Sequence, residues 1–419
     1  MQSFIKFMEK YFMPYAAKIG KQRHLVAIRD GFIGIMPLII AGSFAVLLNS
    51  TLFEIVPVLE PLKGINGNVW WGSFAIMTLL LVFSLGFNLA KGYKVDGLAA
   101  GLISVGAFIA VTPPAGEAGG YLDVGYLSAT GLFTGILIAI LTTEVFVRLT
   151  KRNIVIKMPD SVPPAVSRAF AAVIPGIIAI YVAGIIGHIF AAIGAISLQD
   201  FIYNTIQAPL EALGQGVFSA MILAMLINLF WFFGLHGASI LDPIMNSVYL
   251  PALEANASAV QAGLAAEYNI TRVFFDAYVH LGGSGATLGL IIAIFIVSKR
   301  RQEYRTVAKL GLPNGIFQIN EPIIFGVPIV LNPILFIPFI ITPAVLTLTA
   351  FLATASGLVP ATYVAIPWIS PPGVGAFLAT GGSIKAALLA LFNLCLSIAI
   401  YIPFIAIADK QAAKERNLE

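Results

Sequence analysis

The chain has 419 residues, of which 59% are hydrophobic and only 11% are charged, and its formal net charge is +4 at pH 7. Ordinary soluble domains carry about 25% charged residues, and several uncharged stretches exceed the roughly 18 residues that mark a spanning helix. The composition therefore excludes a soluble domain and predicts an all-α polytopic membrane protein in contact with lipid, and the small positive charge indicates orientation in the membrane rather than binding of nucleic acid.

The N-terminal segment, residues 1–24, is predicted to be a helix on the membrane surface, because aromatic side chains and lysines recur there at helical spacing. The irregular segment 237–270 contains Pro243 and Pro251 and is predicted to be a broken span or a hairpin element. The remaining candidate spans are residues 31–49, 70–90, 97–112, 124–147, 169–196, 215–235, 271–298, 334–356 and 386–408.

Lysine and arginine cluster in a few segments, which sets the predicted orientation of the chain. These segments are residues 1–29, 91–94, 148–168, 299–309 and the C-terminal tail. By the positive-inside rule all of them are cytoplasmic. If segment 237–270 crosses outward, the chain makes about ten crossings and both termini lie in the cytoplasm.

Two transmembrane parts are predicted on either side of a basic, proline-containing linker. Residues 1–147, together with the fifth span at 169–196, carry almost no ionisable residues within the spans, which is typical of a scaffold or a subunit interface. Residues 148–168 (RLTKRNIVIKMPDSVPPAVSR) are predicted to be a basic amphipathic linker along the inner surface. Residues 197–419 contain the intramembrane polar groups and broken helices, and are predicted to form the substrate-binding domain.

Glu321 is the most informative single residue. It opens a run without Asp, Glu, Lys, Arg or His that continues to Lys385, and it lies in the proline- and glycine-broken segment GIFQINEPIIFGVPIVLNP. Broken backbone at membrane depth is tolerated only where it is buried in protein or lines a watery cavity, and an ionisable residue there indicates function. We predict a re-entrant hairpin at residues 313–333 that carries a buried Glu321; the competing interpretation is an acid in a cytoplasmic loop.

Two histidines and two tryptophans are further candidates. His236 follows an apolar span in WFFGLHGAS, between glycines that allow a close approach, although it is also typical of an interface histidine bonded to a carbonyl. His280 precedes a Gly-Gly-Ser-Gly turn whose backbone amides suit a polar solute, although small residues also serve helix packing. Trp231 and Trp368 offer flat indoles to the apolar faces of a sugar, and the alternative is that they anchor the membrane interface.

Several kinds of site are missing from the sequence. There is no Walker loop, no HExxH, no CxxC and no acidic metal cluster, and the single cysteine, Cys395, allows no disulfide framework. We therefore predict no metal and no cofactor. The sequence also predicts no paired intramembrane carboxylates of the kind that proton relays use. One buried glutamate with histidines, amides and aromatics suits a neutral, hydroxyl-rich solute better than an ion.

Three segments resemble the IIC components, the membrane-embedded sugar permeases of the bacterial phosphoenolpyruvate-dependent phosphotransferase system, and look most like the lactose/cellobiose/diacetylchitobiose family. They are QRHLVAIRDGFIGIMPLIIAGS (22–43), WFFGLHG (231–237) and INEPIIFGVPIVLNP (319–333). The resemblance spans essentially the whole chain. It implies about ten transmembrane helices plus re-entrant hairpins, a homodimer formed through the first half, and an elevator-like substrate domain in the second half.

The resemblance also implies site residues. Glu321 would face the sugar hydroxyl that is phosphorylated, His236 would assist it, and Gln318 and Asn320 would contact the sugar. The other implied pocket residues are Trp231, His280, Gly283, Ser284 and Trp368.

The implied function is import, across the bacterial cytoplasmic membrane, of a β-linked disaccharide, cellobiose or diacetylchitobiose, whose 6-hydroxyl is phosphorylated from a phosphocysteine on a separate IIB protein supplied by IIA. A basic group after the span at 271–298 is a candidate docking surface for IIB: Lys299, Arg300, Arg301, Arg305 and Lys309. The alternative is an ion-coupled secondary transporter that releases the solute unmodified. The identity of the disaccharide, and whether Glu321 acts as a general base or only orients the hydroxyl, stay open at this stage.

Overall fold

The computed structural model describes residues 10–11, 13–115, 121–194 and 196–416. Within these ranges the β structure is limited to one two-residue antiparallel ladder, in which Pro114–Ala115 pairs with Tyr121–Leu122. All other regular elements there are helical, so the prediction of an all-α protein is confirmed.

The α-helices of the first half are Met13–Gly20, Arg23–Leu47, Phe53–Ile55, Lys63–Trp71, Met77–Gly92, Gly97–Val111, Val124–Leu127, Leu132–Lys151 and Pro164–Gly194. Those of the second half are Leu198–Ile202, Ala208–Gly214, Val217–Phe232, Gly237–Gln261, Arg272–Tyr278, Thr287–Val297, Gln302–Ile316, Glu321–Gly326, Pro333–Ala355, Val374–Ala379 and Ile384–Arg416. Short π or 3-10 turns join some of them, at Leu48–Leu52, Pro57–Leu62, Phe74–Ile76, Ala129–Gly131 and Tyr203–Gln207.

Local capping explains where several of these helices begin. The side chains of Asp96, Ser197 and Asn332 each accept a hydrogen bond from a backbone N–H in the first turn of the helix that follows. Such caps satisfy donors that have no partner inside the helix. Pro333 then occupies the first helical position, where its missing N–H is harmless.

Several helices are long and apolar enough to cross a membrane by length and composition. Among the described residues there are six: Arg23–Leu52, Val58–Gly92, Ala129–Lys151, Pro164–Ile193, Pro333–Ala355 and Ile384–Gln411. The pair Leu198–Gly214 and Val217–Phe232, bent by 82°, makes a seventh if it is one span. Gly97–Val111 and Thr287–Val297 are apolar but shorter. The protein is thus a multi-pass membrane protein, and the count of ten crossings stays a prediction.

The prediction of a broken segment at 237–270 is wrong for most of its length. Gly237–Gln261 is one continuous helix with Pro243 and Pro251 inside it, both buried. Each proline removes one backbone hydrogen bond, and the surrounding packing stabilises the helix enough to tolerate this loss. The span predicted at 271–298 is instead interrupted, because residues 279–286 separate two helices.

The described part of the predicted surface helix consists of Met13–Gly20, and a new helix starts at Arg23; residues 1–9 and 12 lie outside the described residues. The predicted break near Glu321 is present. Helix Gln302–Ile316 ends at a turn over residues 317–320, and helix Glu321–Gly326 packs back against it. Re-entry of residues 313–333 into the membrane stays a prediction.

Helix Arg23–Leu47 joins the two halves of the chain. It packs against Met77–Gly92 in the first half and against Gly237–Gln261 in the second. Just beyond it, the Ser50 and Tyr363 hydroxyls lie 3.0 Å apart, and the Thr51 hydroxyl donates to the carbonyl of Gly381 at 2.8 Å. The first half therefore contributes one wall to the site that the second half builds.

Candidate functional site

All of the catalytic and sugar-binding candidates from the sequence line one cavity of about 370 Å³, a volume in the range of about 300–1,000 Å³ that is usual for small-molecule sites. They are Trp231, His236, His280, Gly283, Ser284, Gln318, Asn320, Glu321 and Trp368. Further lining residues were not predicted from the sequence, namely Arg29, Ile33, Met36, Ile227, Ala238, Ser239, Asp242, Met245, Arg272 and Asp276.

Glu321 and His236 form the polar centre of this cavity. Nε2 of His236 lies 3.7 Å from Oε1 of Glu321. The backbone N–H of Ser239 donates to Nδ1 of His236 at 3.1 Å, so the neutral ring carries its proton on Nε2, facing the carboxylate. The separation exceeds a direct hydrogen bond, and a ligand oxygen placed beside the pair at about 2.8 Å from each atom would bond to both groups. We call this arrangement the Glu321–His236 gap.

Glu321 is not buried as the sequence analysis expected, because 45% of its side chain is exposed, as is 49% of that of His236. The reason is that the turn at residues 317–320 places Glu321 at the start of a short helix that borders the cavity. Its carboxylate also lies in the first turn of that helix, where the N–H groups favour negative charge.

The two tryptophans occupy different positions in the cavity. Trp231 is only 3% exposed, and its ring centroid lies 4.4 Å from that of His236, which contradicts an interface anchor. Its indole N–H has no hydrogen-bond partner among the described residues. Trp368 is 48% exposed and borders the cavity with its ring available to a ligand.

A glycine loop, residues 280–286, packs against the turn that precedes Glu321. Gly282 and Gly283 have φ angles of +94° and +95°, a backbone region that side chains rarely adopt. The Asn320 side-chain amide donates to the carbonyl of Ser284 at 3.1 Å. Within the described part of the chain, Nδ1 of His280 and Oε1 of Gln318 are buried without a partner. This wall therefore combines a fixed backbone with polar atoms that a ligand can satisfy.

Replacing Gly283 with alanine is expected to destabilise the protein by about 2–5 kcal/mol, because left-handed backbone strain adds to overpacking. A Cβ there would lie 2.7 Å from both Cβ of Asn320 and the carbonyl oxygen of Gln318. The matched control is Gly357→Ala, which has a φ of +72° but no atom within 4 Å and so reports the strain alone. Thermal unfolding in detergent measures the stability of both variants. An equal loss of stability in Gly283→Ala and Gly357→Ala would contradict the close packing of the loop.

A set of charged side chains that was not predicted from the sequence also lines the cavity. Arg272 donates to Asp276 at 3.0 Å, to Asn246 at 3.1 Å and to Asp242 at 3.4 Å. We call these four residues the charged cluster. The expectation that the chain has no paired carboxylates in its helical interior is therefore wrong. The two aspartates lie on different helices, Gly237–Gln261 and Arg272–Tyr278, and meet only in the folded protein.

The charges around the cavity are nearly balanced. Glu321, Asp242 and Asp276 face two guanidinium groups, of which Arg272 is already bonded to both aspartates and Arg29 donates two hydrogen bonds to Asp30. Among the described residues, no three His, Cys, Asp or Glu side chains come together as a metal site. Most of the other lining groups are amides, aromatic rings and apolar side chains, which is typical of a site for a neutral polar molecule.

The chain is similar to several known proteins. A family model described as "Phosphotransferase system, EIIC" matches residues 29–343. A cellobiose-specific EIIC component of Geobacillus stearothermophilus is 40% identical and aligns over 100% of this chain and 97% of its own length. A lichenan permease IIC component of Bacillus subtilis (strain 168) is 38% identical over 98% of this chain and 94% of its own.

The structure is also similar to a solved one. The crystal structure of ChbC, the IIC component of the N,N'-diacetylchitobiose-specific phosphotransferase system, matches with a TM-score of 0.92 and 37% identity over 98% of this chain and 99% of that chain. The resemblance first inferred from three short motifs thus extends over the sequence and the whole fold. With its helical architecture and a polar cavity lined by residues of all three motifs, the chain belongs to the EIIC family of phosphotransferase-system sugar permeases.

Proposed function

We propose that this protein imports a β-linked disaccharide and presents its 6-hydroxyl for phosphorylation by a IIB protein. The observation that carries the proposal is the Glu321–His236 gap, in which a carboxylate and an N–H donor face each other 3.7 Å apart inside a cavity. Relatives specific for cellobiose and diacetylchitobiose support a disaccharide of this class. EIIC components work with IIB and IIA partners, which supports an external phosphoryl donor.

The geometry supports a simple chemical role for the two residues. A hydroxyl beside the gap donates its proton to Glu321 and accepts a hydrogen bond from Nε2–H of His236. When the hydroxyl oxygen bonds to phosphorus, the sulfur–phosphorus bond of the donor phosphocysteine breaks, the thiolate leaves, and the hydroxyl proton passes to Glu321. Phosphoryl transfer needs positioning and charge stabilisation more than covalent help from the protein.

We further propose that the other cavity residues hold the sugar. The unpartnered atoms of His280, Gln318 and Trp231 supply hydrogen bonds, and the exposed indole of Trp368 covers an apolar sugar face. Asn320 already donates a hydrogen bond to the carbonyl of Ser284. Its main role is therefore to hold the glycine loop, which contains Gly283 and Ser284, against the ligand.

We also propose the division of the chain that the sequence predicts. Residues 1–147 and 169–196 form the scaffold and homodimer interface, residues 148–168 form the linker, and residues 197–419 form the substrate domain. Both termini lie in the cytoplasm. Helix Pro164–Gly194 supports an outer position, because Ile177, Tyr181 and Ile185 are each more than half exposed. Such an apolar face fits lipid or a second copy of the chain.

Uptake into vesicles tests the reaction. Vesicles loaded with phosphorylated IIB are expected to accumulate cellobiose or diacetylchitobiose as sugar phosphate, with lactose as a competitor of weaker effect. The second candidate function is an ion-coupled transporter. The carboxylates of Asp242 and Asp276 favour it, because such a transporter needs a site for the coupling ion, but both carboxylates are paired with Arg272. Accumulation of unmodified sugar that depends on an ion gradient, and not on phosphorylated IIB, would favour that alternative.

In the basic group proposed as a IIB docking surface, some side chains bond to the protein backbone and others are exposed to solvent. Oδ1 of Asp409 accepts hydrogen bonds from the backbone N–H groups of residues 299–301. The Arg301 side chain donates to the carbonyl of Ala408, and that of Arg305 donates to the carbonyl of Ser298. Arg301 and Arg305 therefore stabilise the loop itself. The exposed positions on this surface are Lys299, Arg300 and Lys309.

Neutralising Lys299, Arg300 and Lys309 together with glutamine is expected to slow phosphoryl transfer from IIB by about tenfold at low ionic strength, because charge steering acts on the association rate. Keeping Arg301 and Arg305 preserves the loop and two of its positive charges. The control variant neutralises Lys91, Lys94 and Arg152, which changes the net charge equally. Sugar binding without IIB should not change. If the variant with glutamine at positions 299, 300 and 309 transferred phosphate at the wild-type rate at low salt, this surface would not be the docking site for IIB.

A further inference from the structure

The charged cluster separates the main cavity from a smaller annex of about 80 Å³. Both spaces are lined by Met36, Asp242, Arg272, Asp276 and Trp368. Neither Glu321 nor His236 lines the annex. The cluster therefore borders both spaces, whereas the Glu321–His236 gap borders only the main cavity.

The hydrogen bonds inside the cluster leave one carboxylate oxygen unused. Asp242 uses both oxygens, one for Arg272 and one for the side-chain amide of Asn246 at 2.9 Å. Asp276 uses only Oδ2, on Arg272, and its Oδ1 accepts no bond from the described residues. A guanidinium has five N–H groups, and the bonds to Asn246, Asp276 and Asp242 use three of them. Among the described residues, an acceptor on Asp276 and donors on Arg272 thus remain without partners.

Gln318 gives an independent indication of a ligand at this end. Its side chain is 5% exposed, and its amide nitrogen donates to the carbonyls of Asp276 and Ser370 at 3.1 and 2.9 Å. These bonds fix the amide of a residue that lines the cavity, yet its Oε1 has no partner in the described part of the chain. A buried polar atom without a partner is unfavourable, and a ligand hydroxyl would remove that penalty.

A purely structural role does not account for both aspartates. One carboxylate is enough to neutralise Arg272, and Asp242 already links the two helices through it. The second carboxylate adds a negative charge that Arg272 alone does not neutralise, and a buried charge that is only partly compensated is destabilising. A polar ligand that donates a hydrogen bond to Asp276 would offset this.

We propose that Asp276, together with Arg272, determines specificity by binding adjacent hydroxyls on the second sugar ring, the ring that is not phosphorylated. The carboxylate accepts a hydrogen bond from one hydroxyl, and the guanidinium donates to the oxygen of its neighbour. Trp368, which borders both spaces, covers the face of this ring. The inference rests on the proposed function, because it assumes that the first ring lies at the Glu321–His236 gap.

Calorimetry on the purified full chain, without IIB, tests the inference. Asp276→Asn is expected to weaken cellobiose binding by about 10- to 100-fold, the range of one hydrogen bond to a charged group. Methyl β-glucopyranoside, which has only one ring, should bind to Asp276→Asn with its wild-type affinity. The matched control is Asp242→Asn, which makes the same charge change in the same cluster. Both carboxylate oxygens of Asp242 already accept hydrogen bonds within the cluster, so this variant removes no acceptor that is free for a ligand. It should change the affinities for the two ligands by the same factor.

Analogues of cellobiose that lack one hydroxyl of the second ring provide a measurement on the wild-type chain. At least one of them is expected to bind about 10- to 100-fold more weakly than cellobiose, and Asp276→Asn should not weaken that analogue further. The inference is overturned if no such analogue binds more weakly, or if Asp276→Asn weakens both ligands equally. If the wild type binds no β-linked disaccharide at all, the proposed function fails, and this inference fails with it.

Discussion

Replacing Glu321 with glutamine is expected to lower sugar phosphorylation by at least about a hundredfold, in the range typical of a lost acid–base group. Glutamine has nearly the same shape, and it cannot take the hydroxyl proton. Because 45% of the Glu321 side chain is exposed to the cavity, its charge contributes little to packing, and the variant should fold and insert normally. The measurement is phosphoryl transfer from phosphorylated IIB to cellobiose by the purified variant in liposomes.

The control for this variant is Glu60→Gln, which removes a carboxylate that is 66% exposed and pairs only loosely with Lys63 at 3.4 Å. It should transfer phosphate at the wild-type rate. Binding of cellobiose to Glu321→Gln, measured in parallel, separates a defect in chemistry from a defect in binding. Phosphorylation by Glu321→Gln within a few fold of wild type would show that the carboxylate is not the proton acceptor.

Replacing His236 with asparagine is expected to reduce phosphorylation by about 10- to 100-fold at nearly unchanged stability. His236 has two contacts that this variant separates. Its Nδ1 accepts the N–H of Ser239 and caps helix Gly237–Gln261, whereas its Nε2 faces Glu321. Asparagine is a good cap residue, so it preserves the first contact, but its shorter side chain does not reach the gap.

The comparison variant is His236→Ala, which removes both contacts. It should show the same loss of phosphorylation and, in addition, a loss of about 1 kcal/mol of stability from the missing cap. Thermal unfolding and phosphoryl transfer are measured for both variants. If asparagine restores wild-type activity while alanine lowers stability and activity together, the histidine serves only as a helix cap, and its proposed role beside Glu321 is wrong.

Patterns that are local in the chain were predicted well. Composition alone indicated an all-helical membrane protein, because a chain with so few charges can satisfy its backbone in lipid only by forming helices or a barrel. The break before Glu321 and the turn at residues 280–286 follow from nearby glycines and prolines. Proline was misleading in segment 237–270, where two buried prolines lie inside one helix. Packing against neighbouring helices outweighed a preference that acts only locally.

The sequence by itself determined the membrane class, the family motifs and the residues on either side of the Glu321–His236 gap. Only the tertiary structure decided which distant groups share the cavity. Arg29 reaches it from the first half of the chain, and the aspartates of the charged cluster arrive on two different helices. Spacing along a chain predicts which residues share one helix face. It carries no information on which faces of different helices meet, because the packing of the whole molecule sets that.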